Sequence, residues 1–323
     1  MIRSDHPTPA SDPAETGLQR ARDGKMWLDG RFRSELEAAG LTGFDAVMAT
    51  SEGQCLRVLK DRENWRLEVH AARRPARRLY LKRHCVRTWR SRLRAKLGAF
   101  SKSPPETAGR AEARNIRRLV ARGIGSMDLV AYGEDLRPDG RLESFVLTDE
   151  LKGYLPLDDF LRERFASQES RVQSPEQNRQ TLHSPLSTLN SPLSTLDSQY
   201  RDLRRLIREV ARVARELHDA GYNHRDLYCC HFFVRETAPG RFEVKLIDLQ
   251  RVEHRRRFRR RWLVKDLAQL AYSAPRDRIT RTHRLAFMRE YLGVKRLRLG
   301  DKRLVRSVLA KQRWMERKEG LPG

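Results

Sequence analysis

The chain has few cysteines and no long apolar run. Its four cysteines, Cys55, Cys85, Cys229 and Cys230, lack the spacing of metal ligands, and the adjacent pair is a poor disulfide candidate, so a reduced, cytoplasmic compartment is expected. No apolar stretch approaches the length of a membrane-spanning helix, and the N-terminus lacks the apolar core of a signal peptide. Any contact with a membrane is therefore expected to be peripheral.

Acidic residues are too few to balance the basic ones. The 67 Lys and Arg residues face 42 Asp and Glu residues, which gives a formal net charge of +25. Such a surplus implies an anionic partner, either nucleic acid or an anionic lipid surface. The 323 residues, 39% of them hydrophobic, are enough to form two lobes with their own cores.

The most informative stretch lies between residues 221 and 249. His224-Arg225-Asp226 matches the catalytic-loop signature of protein kinases, and Asp248 follows where the magnesium-binding aspartate of those enzymes lies. Apolar residues at helical spacing predict a helix over Tyr200–Ala220 that ends at Gly221. This context favours a kinase over a chance His-Arg-Asp tripeptide.

Phosphoryl transfer needs little covalent chemistry from the protein. What it needs is two carboxylates with separate tasks, and the two aspartates suit them. One carboxylate orients the attacking hydroxyl and accepts its proton, and the other holds the magnesium that bridges the ATP phosphates. We assign the first role to Asp226 and the second to Asp248. The sequence thus predicts an ATP-dependent kinase with ATP and Mg²⁺ as cofactors.

Three segments together resemble one family. The pattern Asn-His-Arg-Asp-x-Tyr-x-Cys-His-Phe at residues 223–232, Ile-Asp-Leu-x-Arg at 247–251 and Arg-Arg-Trp-x-x-Lys-Asp-Leu at 260–267 is similar to the bacterial lipopolysaccharide core kinases, the Kdo/WaaP family. The resemblance covers most of residues 45–295. It implies an α+β, two-lobed, protein-kinase-like fold, with a small antiparallel-sheet lobe plus one helix and a mostly helical large lobe.

The resemblance also implies the acceptor. It points to a sugar hydroxyl, of heptose or Kdo, in the lipopolysaccharide inner core at the cytoplasmic face of the inner membrane. The anionic partners are then this glycolipid and the membrane surface, and nucleic acid is not expected as a partner.

Composition divides the chain into segments. The composition predicts a disordered tail over residues 1–25, an N-terminal lobe over residues 26–150 and a C-terminal lobe over residues 151–318. A low-complexity insertion at about 166–198 contains a seven-residue repeat and is expected to be disordered. Four strands are predicted in the N-terminal lobe, at Ala46–Thr50, Cys55–Lys60, Trp65–Ala71 and Arg78–Arg83.

Lys82 and Glu112 are predicted to form an ion pair. Strand alternation places Lys82 opposite Leu79 and Leu81, although a solvated strand lysine is the alternative. A helix over Thr107–Arg122, capped by Thr107, places Glu112, Ile116, Leu119 and Val120 on one face. A carboxylate on an inward face needs a partner. Lys82 is the natural one, and in kinases such a pair positions the ATP phosphates. The resemblance implies a glutamate at this place.

Three further residues are candidates for binding the nucleotide. The Gly-x-Gly-x-x-Gly loop of protein kinases is missing, and Gly53 is the remaining candidate for covering the phosphates. Glu150 follows a predicted strand at Ser144–Thr148, where a hinge backbone would meet adenine. His231 stands where protein kinases carry an asparagine that binds a second magnesium, for which imidazole is a poor ligand. It is either a hydrogen-bonding or metal-site residue or a buried structural histidine, and the resemblance includes Cys-His here.

Arginine is concentrated beside the predicted catalytic loop, with six arginines among residues 255–261. Together with Arg225, the residues Arg256, Arg257 and Arg260 are candidates for binding the anionic groups of the acceptor. A solvated face or a contact with the bilayer is the alternative. Asp266 is expected to accept hydrogen bonds from the backbone of the catalytic loop.

Two classes of function remain from the sequence. The first is the sugar kinase, with a kinase of proteins or of another small molecule as its variant. The second is a non-catalytic basic protein that binds RNA or lipid on a kinase scaffold. The joint presence of Lys82, Glu112, Asp226 and Asp248 favours an enzyme, because a binding protein has no need of all four.

Overall fold

The computed structural model describes residues 17–59, 61–71, 75–85, 106–137, 141–165, 192–255, 257 and 259–318. The chain forms two compact units. The first unit runs to Lys152 and includes Asp248–Val252. The second unit consists of Gly153–Ile247 and the chain from Glu253 onward.

The first unit is built on a seven-stranded antiparallel sheet. Its order is β1-β2-β6-β7-β5-β4-β3. The strands are β1 Gln19–Arg20, β2 Met26–Leu28, β3 Gln54–Leu59, β4 Arg62–Val69, β5 Arg77–Cys85, β6 Leu129–Leu136 and β7 Leu142–Asp149. In β5, Lys82 pairs with Asn64 of β4 and Val146 of β7, so it lies in the interior of the sheet.

Three helices of the first unit are described: α1 Arg33–Ala38, α2 Phe44–Ala49 and α3 Ala108–Val120. The strand predicted over Ala46–Thr50 is wrong, because these residues belong to α2 or follow it. Phe44 and Val47, one helical turn apart, are fully buried in the core with Leu79 and Leu81 of β5. A five-residue apolar run does not distinguish a strand from a short helix.

The second unit is mostly helical. Its helices are α4 Leu157–Arg164, α5 Pro192–Asp219, α6 Arg259–Ser273, α7 Arg281–Leu292 and α8 Leu299–Lys318. Its strands are β8 Leu155–Pro156, β9 Tyr222–Asn223, β10 Phe232–Ala238, β11 Arg241–Leu246 and β12 Glu253–His254. They form a three-stranded sheet, β11-β10-β8, and the pair β12-β9.

The segment boundaries differ from the prediction at two places. Residues 17–25, predicted as the end of a disordered tail, include β1, which pairs with β2. Residues 192–198, predicted as the end of the insertion, are the first two turns of α5. Pro192 suits the first turn of a helix because it has no N–H to leave without a partner. Residues 1–16 and 166–191 lie outside the described residues.

The sheet-containing first unit and the helical second unit agree with the predicted α+β class. The first unit has α1 and α2 in addition to the single predicted helix. Among the described helices, none combines the length and the apolar character needed to cross a membrane.

Candidate active site

Lys82 connects two carboxylates in the first unit. Its Nζ donates hydrogen bonds to Glu112 Oε1 at 2.7 Å and to Asp248 Oδ1 at 2.9 Å. The Glu112 side chain is fully buried, whereas the side chains of Lys82 and Asp248 are each 20% exposed. The pair that the sequence predicted, Lys82 with Glu112, is thus made, and Asp248 joins it.

Local sequence explains how Lys82 and Glu112 meet. In β5, Leu79 and Leu81 point into the core, so strand alternation places Lys82 on the other face. Thr107 caps α3 by accepting a hydrogen bond from the Arg110 N–H, as predicted. Glu112, Ile116 and Leu119 are buried on this helix, whereas Val120, predicted on the same face, is 53% exposed.

Electrostatics hold Lys82 in its charged form. Burial acts to lower the pKa of Lys82, but the negative charges of Glu112 and Asp248 outweigh it, so the pKa lies above its usual value. His84 lies on the same face of β5 as Lys82. Burial and the charges of Lys82 and Arg62 lower the pKa of His84 to about 4. His84 is therefore neutral at pH 7.

Asp248 lies in a tight segment that Asn115 holds in place. Asp248 has a left-handed backbone (φ 56°), which is uncommon for a residue other than glycine. The Asn115 side chain donates hydrogen bonds to the carbonyl oxygens of Leu249 and Val252 at 2.8 and 2.9 Å. Asn115 was not predicted from the sequence, although its position one turn after Glu112 on α3 could have indicated it.

Gly53 is not in the turn of the hairpin that β3 and β4 form. The last pair of the hairpin is Leu59 with Arg62, and Lys60 is outside the described residues. Gly53 precedes β3 at the other end of the hairpin. There its φ is +122°, and an added Cβ would lie 2.5 Å from the Arg66 carbonyl oxygen. This packing explains the glycine, and its role at the phosphates stays a prediction.

Glu150 follows β7 directly, and both of its backbone polar groups have partners. Its N–H donates to the Arg78 carbonyl oxygen at 3.1 Å, and its carbonyl oxygen accepts from the Lys152 N–H at 3.0 Å. Its carboxylate lies 3.4 Å from Arg78 Nη1. These contacts attach Glu150 to β5, and its predicted contact with adenine is not tested.

In the second unit, Asp266 supports the loop that carries Asp226. The fully buried Asp266 carboxylate accepts hydrogen bonds from the backbone N–H groups of His224 and Arg225, both at 2.8 Å. His218 Nε2 lies 3.2 Å from the same carboxylate. Arg225 has a φ of 71°. These bonds fix the strained turn directly before Asp226, and they are the contacts that the sequence predicted for Asp266.

His231 has a partner within the same loop. Its Nδ1 donates a hydrogen bond of 2.6 Å to the Asp226 backbone carbonyl oxygen, and its ring stacks on the ring of His224 with centroids 5.7 Å apart. Within the described parts of the chain, no group of three or more His, Cys, Asp or Glu side chains converges as a metal site. The hydrogen bond attaches His231 to the backbone of the loop that carries Asp226, and its role at a metal stays a prediction.

Arg225 is turned towards an acidic and aromatic group. It forms an ion pair with Glu253 and lies over the Trp262 ring, with 5.1 Å between Cζ and the ring centroid. Arg255 contacts the same two side chains. Glu253 and Trp262 were not predicted from the sequence, although the tryptophan belongs to the motif at residues 260–267.

Of the other predicted acceptor-binding arginines, Arg257 and Arg260 are exposed in the second unit. Arg256 lies outside the described residues. Acceptor binding by these arginines stays a prediction.

Comparisons with known proteins agree with the geometry. The family model described as the lipopolysaccharide kinase (Kdo/WaaP) family matches residues 46–203 and 184–291. The lipopolysaccharide core heptose(I) kinase WaaP of Pseudomonas aeruginosa is 32% identical over 286 residues, which cover 86% of this chain and 89% of that protein. WaaP of Escherichia coli K12 is 38% identical over 81 residues, or 24% of this chain and 31% of that protein.

A solved structure is also similar. WaaP in complex with acyl carrier protein matches with a TM-score of 0.58 and 28% identity, covering 93% of this chain and 97% of that chain. The predicted protein-kinase-like fold and the predicted family are thereby confirmed. The similarity favours a sugar kinase over the alternatives of a protein kinase and a non-catalytic binding protein. This chain belongs to the lipopolysaccharide kinase (Kdo/WaaP) family and is a lipopolysaccharide core kinase that phosphorylates a sugar hydroxyl.

Proposed function

We propose that this chain transfers the γ-phosphoryl group of ATP, with Mg²⁺, to a heptose or Kdo hydroxyl of the lipopolysaccharide inner core at the cytoplasmic face of the inner membrane. The observation that carries the proposal is the placement of Lys82 between Glu112 and Asp248, at 2.7 and 2.9 Å. A strand lysine paired with a helix glutamate positions the ATP phosphates in protein kinases. A purely structural ion pair would not need the second, partly exposed carboxylate.

Each residue has one role in the proposal. Lys82, held by Glu112, binds the ATP phosphates. Asp226 orients the sugar hydroxyl and accepts its proton, while Asp266 keeps the loop of Asp226 in place. Arg225, Arg256, Arg257 and Arg260 bind anionic groups of the acceptor, and the net charge of +25 favours approach to an anionic membrane surface.

Asp248 fits the magnesium ion that the proposal requires. Its carboxylate is partly exposed and supplies the hard oxygen donors that Mg²⁺ prefers. His231 fits less well, because Nδ1 already donates to the Asp226 carbonyl oxygen and imidazole is a poor magnesium ligand. Bound magnesium would supply positive charge that neutralises the phosphates.

The test is transfer from γ-labelled ATP to purified inner-core lipopolysaccharide that lacks core phosphate. We expect magnesium-dependent label in the glycolipid with the intact protein and almost none with Asp226→Ala or Asp248→Ala. Asp277→Ala serves as the matched control, since the Asp277 side chain is 61% exposed. Full activity in either active-site variant would contradict the roles. Magnesium-dependent ATP binding without transfer to glycolipid would contradict the acceptor.

We further propose that the chain binds an acyl carrier protein, the partner named for the similar WaaP structure. A cavity of about 800 Å³ in the second unit supports this partner. Its lining is mostly apolar and includes Leu206, Ile207 and Val210 of α5, Leu270 and Ala271 of α6, and Met288 of α7. An apolar cavity of this size is suitable for a flexible acyl chain.

Binding by calorimetry tests the partner. We expect the carrier protein with a long acyl chain to bind more tightly than the same carrier without it. Ala271→Phe, which fills the cavity, is expected to weaken binding of the acylated carrier about 10-fold, equivalent to about 1.4 kcal/mol. The control is Leu299→Phe, because Leu299 is 76% exposed. Equal affinity for both carrier forms would exclude an acyl site.

A further inference from the structure

Lys265 lies beside Asp226 in the second unit and has no role in the function described so far. Its Nζ donates a hydrogen bond to the backbone carbonyl oxygen of Arg225 and lies 3.9 Å from Asp226 Oδ1. The side chains of Lys265 and Asp226 are 27% and 20% exposed. Both are therefore accessible to a substrate.

The position of Lys265 is fixed by its neighbours. The next residue in α6, Asp266, is bonded to the backbone of His224 and Arg225, so the helix and the loop are attached at this point. Trp262, one turn earlier, lies with its ring centroid 5.9 Å from Lys265 Nζ. The same helical turn thus holds the loop and brings an ammonium group to Asp226.

The Lys265 ammonium group brings a positive charge beside Asp226. The transferred phosphoryl group carries negative charge on three equatorial oxygens in the transition state, and preorganised cations stabilise that charge. The position of the Lys265 ammonium group beside Asp226 is explained if this group stabilises the negative charge of the transferred phosphoryl group.

The loop does not provide this charge from its own next residues. The four residues after Asp226 are Leu-Tyr-Cys-Cys. Arg225, the residue before it, contacts Glu253 and Trp262 and is assigned above to the anionic groups of the acceptor. Lys265, reaching the loop from α6, supplies a cation within ion-pair distance of the Asp226 carboxylate.

We propose that Lys265 is a catalytic residue whose ammonium group contacts the phosphoryl group during its transfer; this inference rests on the ATP-dependent reaction proposed above. In that step the sugar oxygen forms the new bond to phosphorus, and its proton passes to Asp226. The bond between the γ-phosphorus and the bridging oxygen breaks, and ADP leaves with the electron pair. Lys265 keeps its proton, and its ammonium group, which donates to the Arg225 carbonyl oxygen, stabilises the charge on a phosphoryl oxygen.

Two substitutions separate the effect of the Lys265 charge from the effect of its hydrogen bond to the Arg225 carbonyl oxygen. Lys265→Gln keeps an N–H donor for the Arg225 carbonyl oxygen but removes the charge, whereas Lys265→Arg keeps the charge. We expect kcat to fall about 100-fold in Lys265→Gln, with KM for ATP and the melting temperature close to those of the wild type. Lys265→Arg should recover part of kcat. Lys302→Gln, at an exposed position of α8, is the control and should match the wild type.

The outcomes distinguish this inference from the proposed function. An active wild type together with an unchanged kcat in Lys265→Gln would overturn the role of Lys265 alone. A rise in KM for ATP at unchanged kcat would also overturn it, because such a change indicates an interaction that is equally strong in the ground state and the transition state. No transfer by the wild type would overturn the proposed reaction and this inference with it. If Lys265→Gln does not fold, Lys265→Met replaces it under the same criteria.

Discussion

Asp266 accepts a hydrogen bond of 2.8 Å from the backbone N–H of His224, and its other oxygen accepts one of equal length from Arg225. The carboxylate is fully buried, so it depends on these donors and on His218 to offset its loss of hydration. The bonds connect α6 to the loop of Asp226. The geometry of the loop that carries Asp226 therefore depends on Asp266.

Removal of this carboxylate should destabilise the protein. We expect Asp266→Ala to lower the free energy of unfolding by about 3 kcal/mol, because the buried N–H of His224 and the partly buried N–H of Arg225 lose their charged acceptor. Asp266→Asn should cost less, because the amide oxygen still accepts one bond. Urea denaturation measures both variants. Glu290→Ala, at an exposed position of α7, is the control with an expected change within about 0.5 kcal/mol, and an equally small change in Asp266→Ala would disprove the support role.

Short-range patterns were sufficient to predict much of the first unit's site. Strand alternation placed Lys82 opposite Leu79 and Leu81, and the helical period placed Glu112 on the buried face of α3, so their pairing followed from the cost of an unpaired buried carboxylate. The participation of Asp248 did not follow. Lys82 and Asp248 are 166 positions apart, and no local period connects them.

The residues and elements that were not predicted depend on tertiary contacts or on short apolar runs that fit both a helix and a strand. Asn115 and Lys265 act through hydrogen bonds to backbone carbonyl groups, which any residue type provides, so the partner leaves no trace in the sequence. The α2 segment was predicted as a strand because its apolar run is short. The low-complexity composition near residue 192 hid the start of α5, where the apolar pattern is weak.

The neutral state of His84 predicts a pH-dependent stability. Burial and nearby cations lower the pKa of His84 to about 4 from 6.5. The unfolded chain therefore binds this proton more readily, and the stabilisation present above pH 6.5 is lost as the pH falls towards 4. The full effect is about 3 kcal/mol.

Urea denaturation at pH 7 and pH 4.5 tests the contribution of His84. We expect His84→Gln to lose about 2 kcal/mol less stability than the wild type over this interval. His70→Gln, at an exposed position, is the control and should follow the wild type. Equal pH dependence in the wild type and His84→Gln would show that His84 is not kept neutral by the fold.

Asn115 should influence catalysis without contacting a substrate. In Asn115→Ala the carbonyl groups of Leu249 and Val252 lose their side-chain partner, which should cost about 1–3 kcal/mol of stability. The segment after Asp248 should then be less well fixed, and kcat should fall about 10-fold or more. Val120→Ala, on the same helix at a position 53% exposed, is the control for both measurements. A loss of stability at unchanged kcat would limit Asn115 to a structural role.

The exposed arginines should act on acceptor binding and not on the chemical step. Arg257 and Arg260 belong to the basic segment that precedes and begins α6, and surface charges of this kind contribute about 0.2–1 kcal/mol each to an ionic contact. We expect Arg257→Ser and Arg260→Ser each to raise KM for the glycolipid about 3-fold at constant kcat and constant KM for ATP. The effect should shrink at high salt, because mobile ions screen exposed charges over about 8 Å at physiological ionic strength.

Arg303→Ser, an exposed arginine of α8, controls for the loss of net charge. If that variant raises the acceptor KM equally, the arginines attract the anionic surface in general, and the segment beside the loop has no specific part in binding.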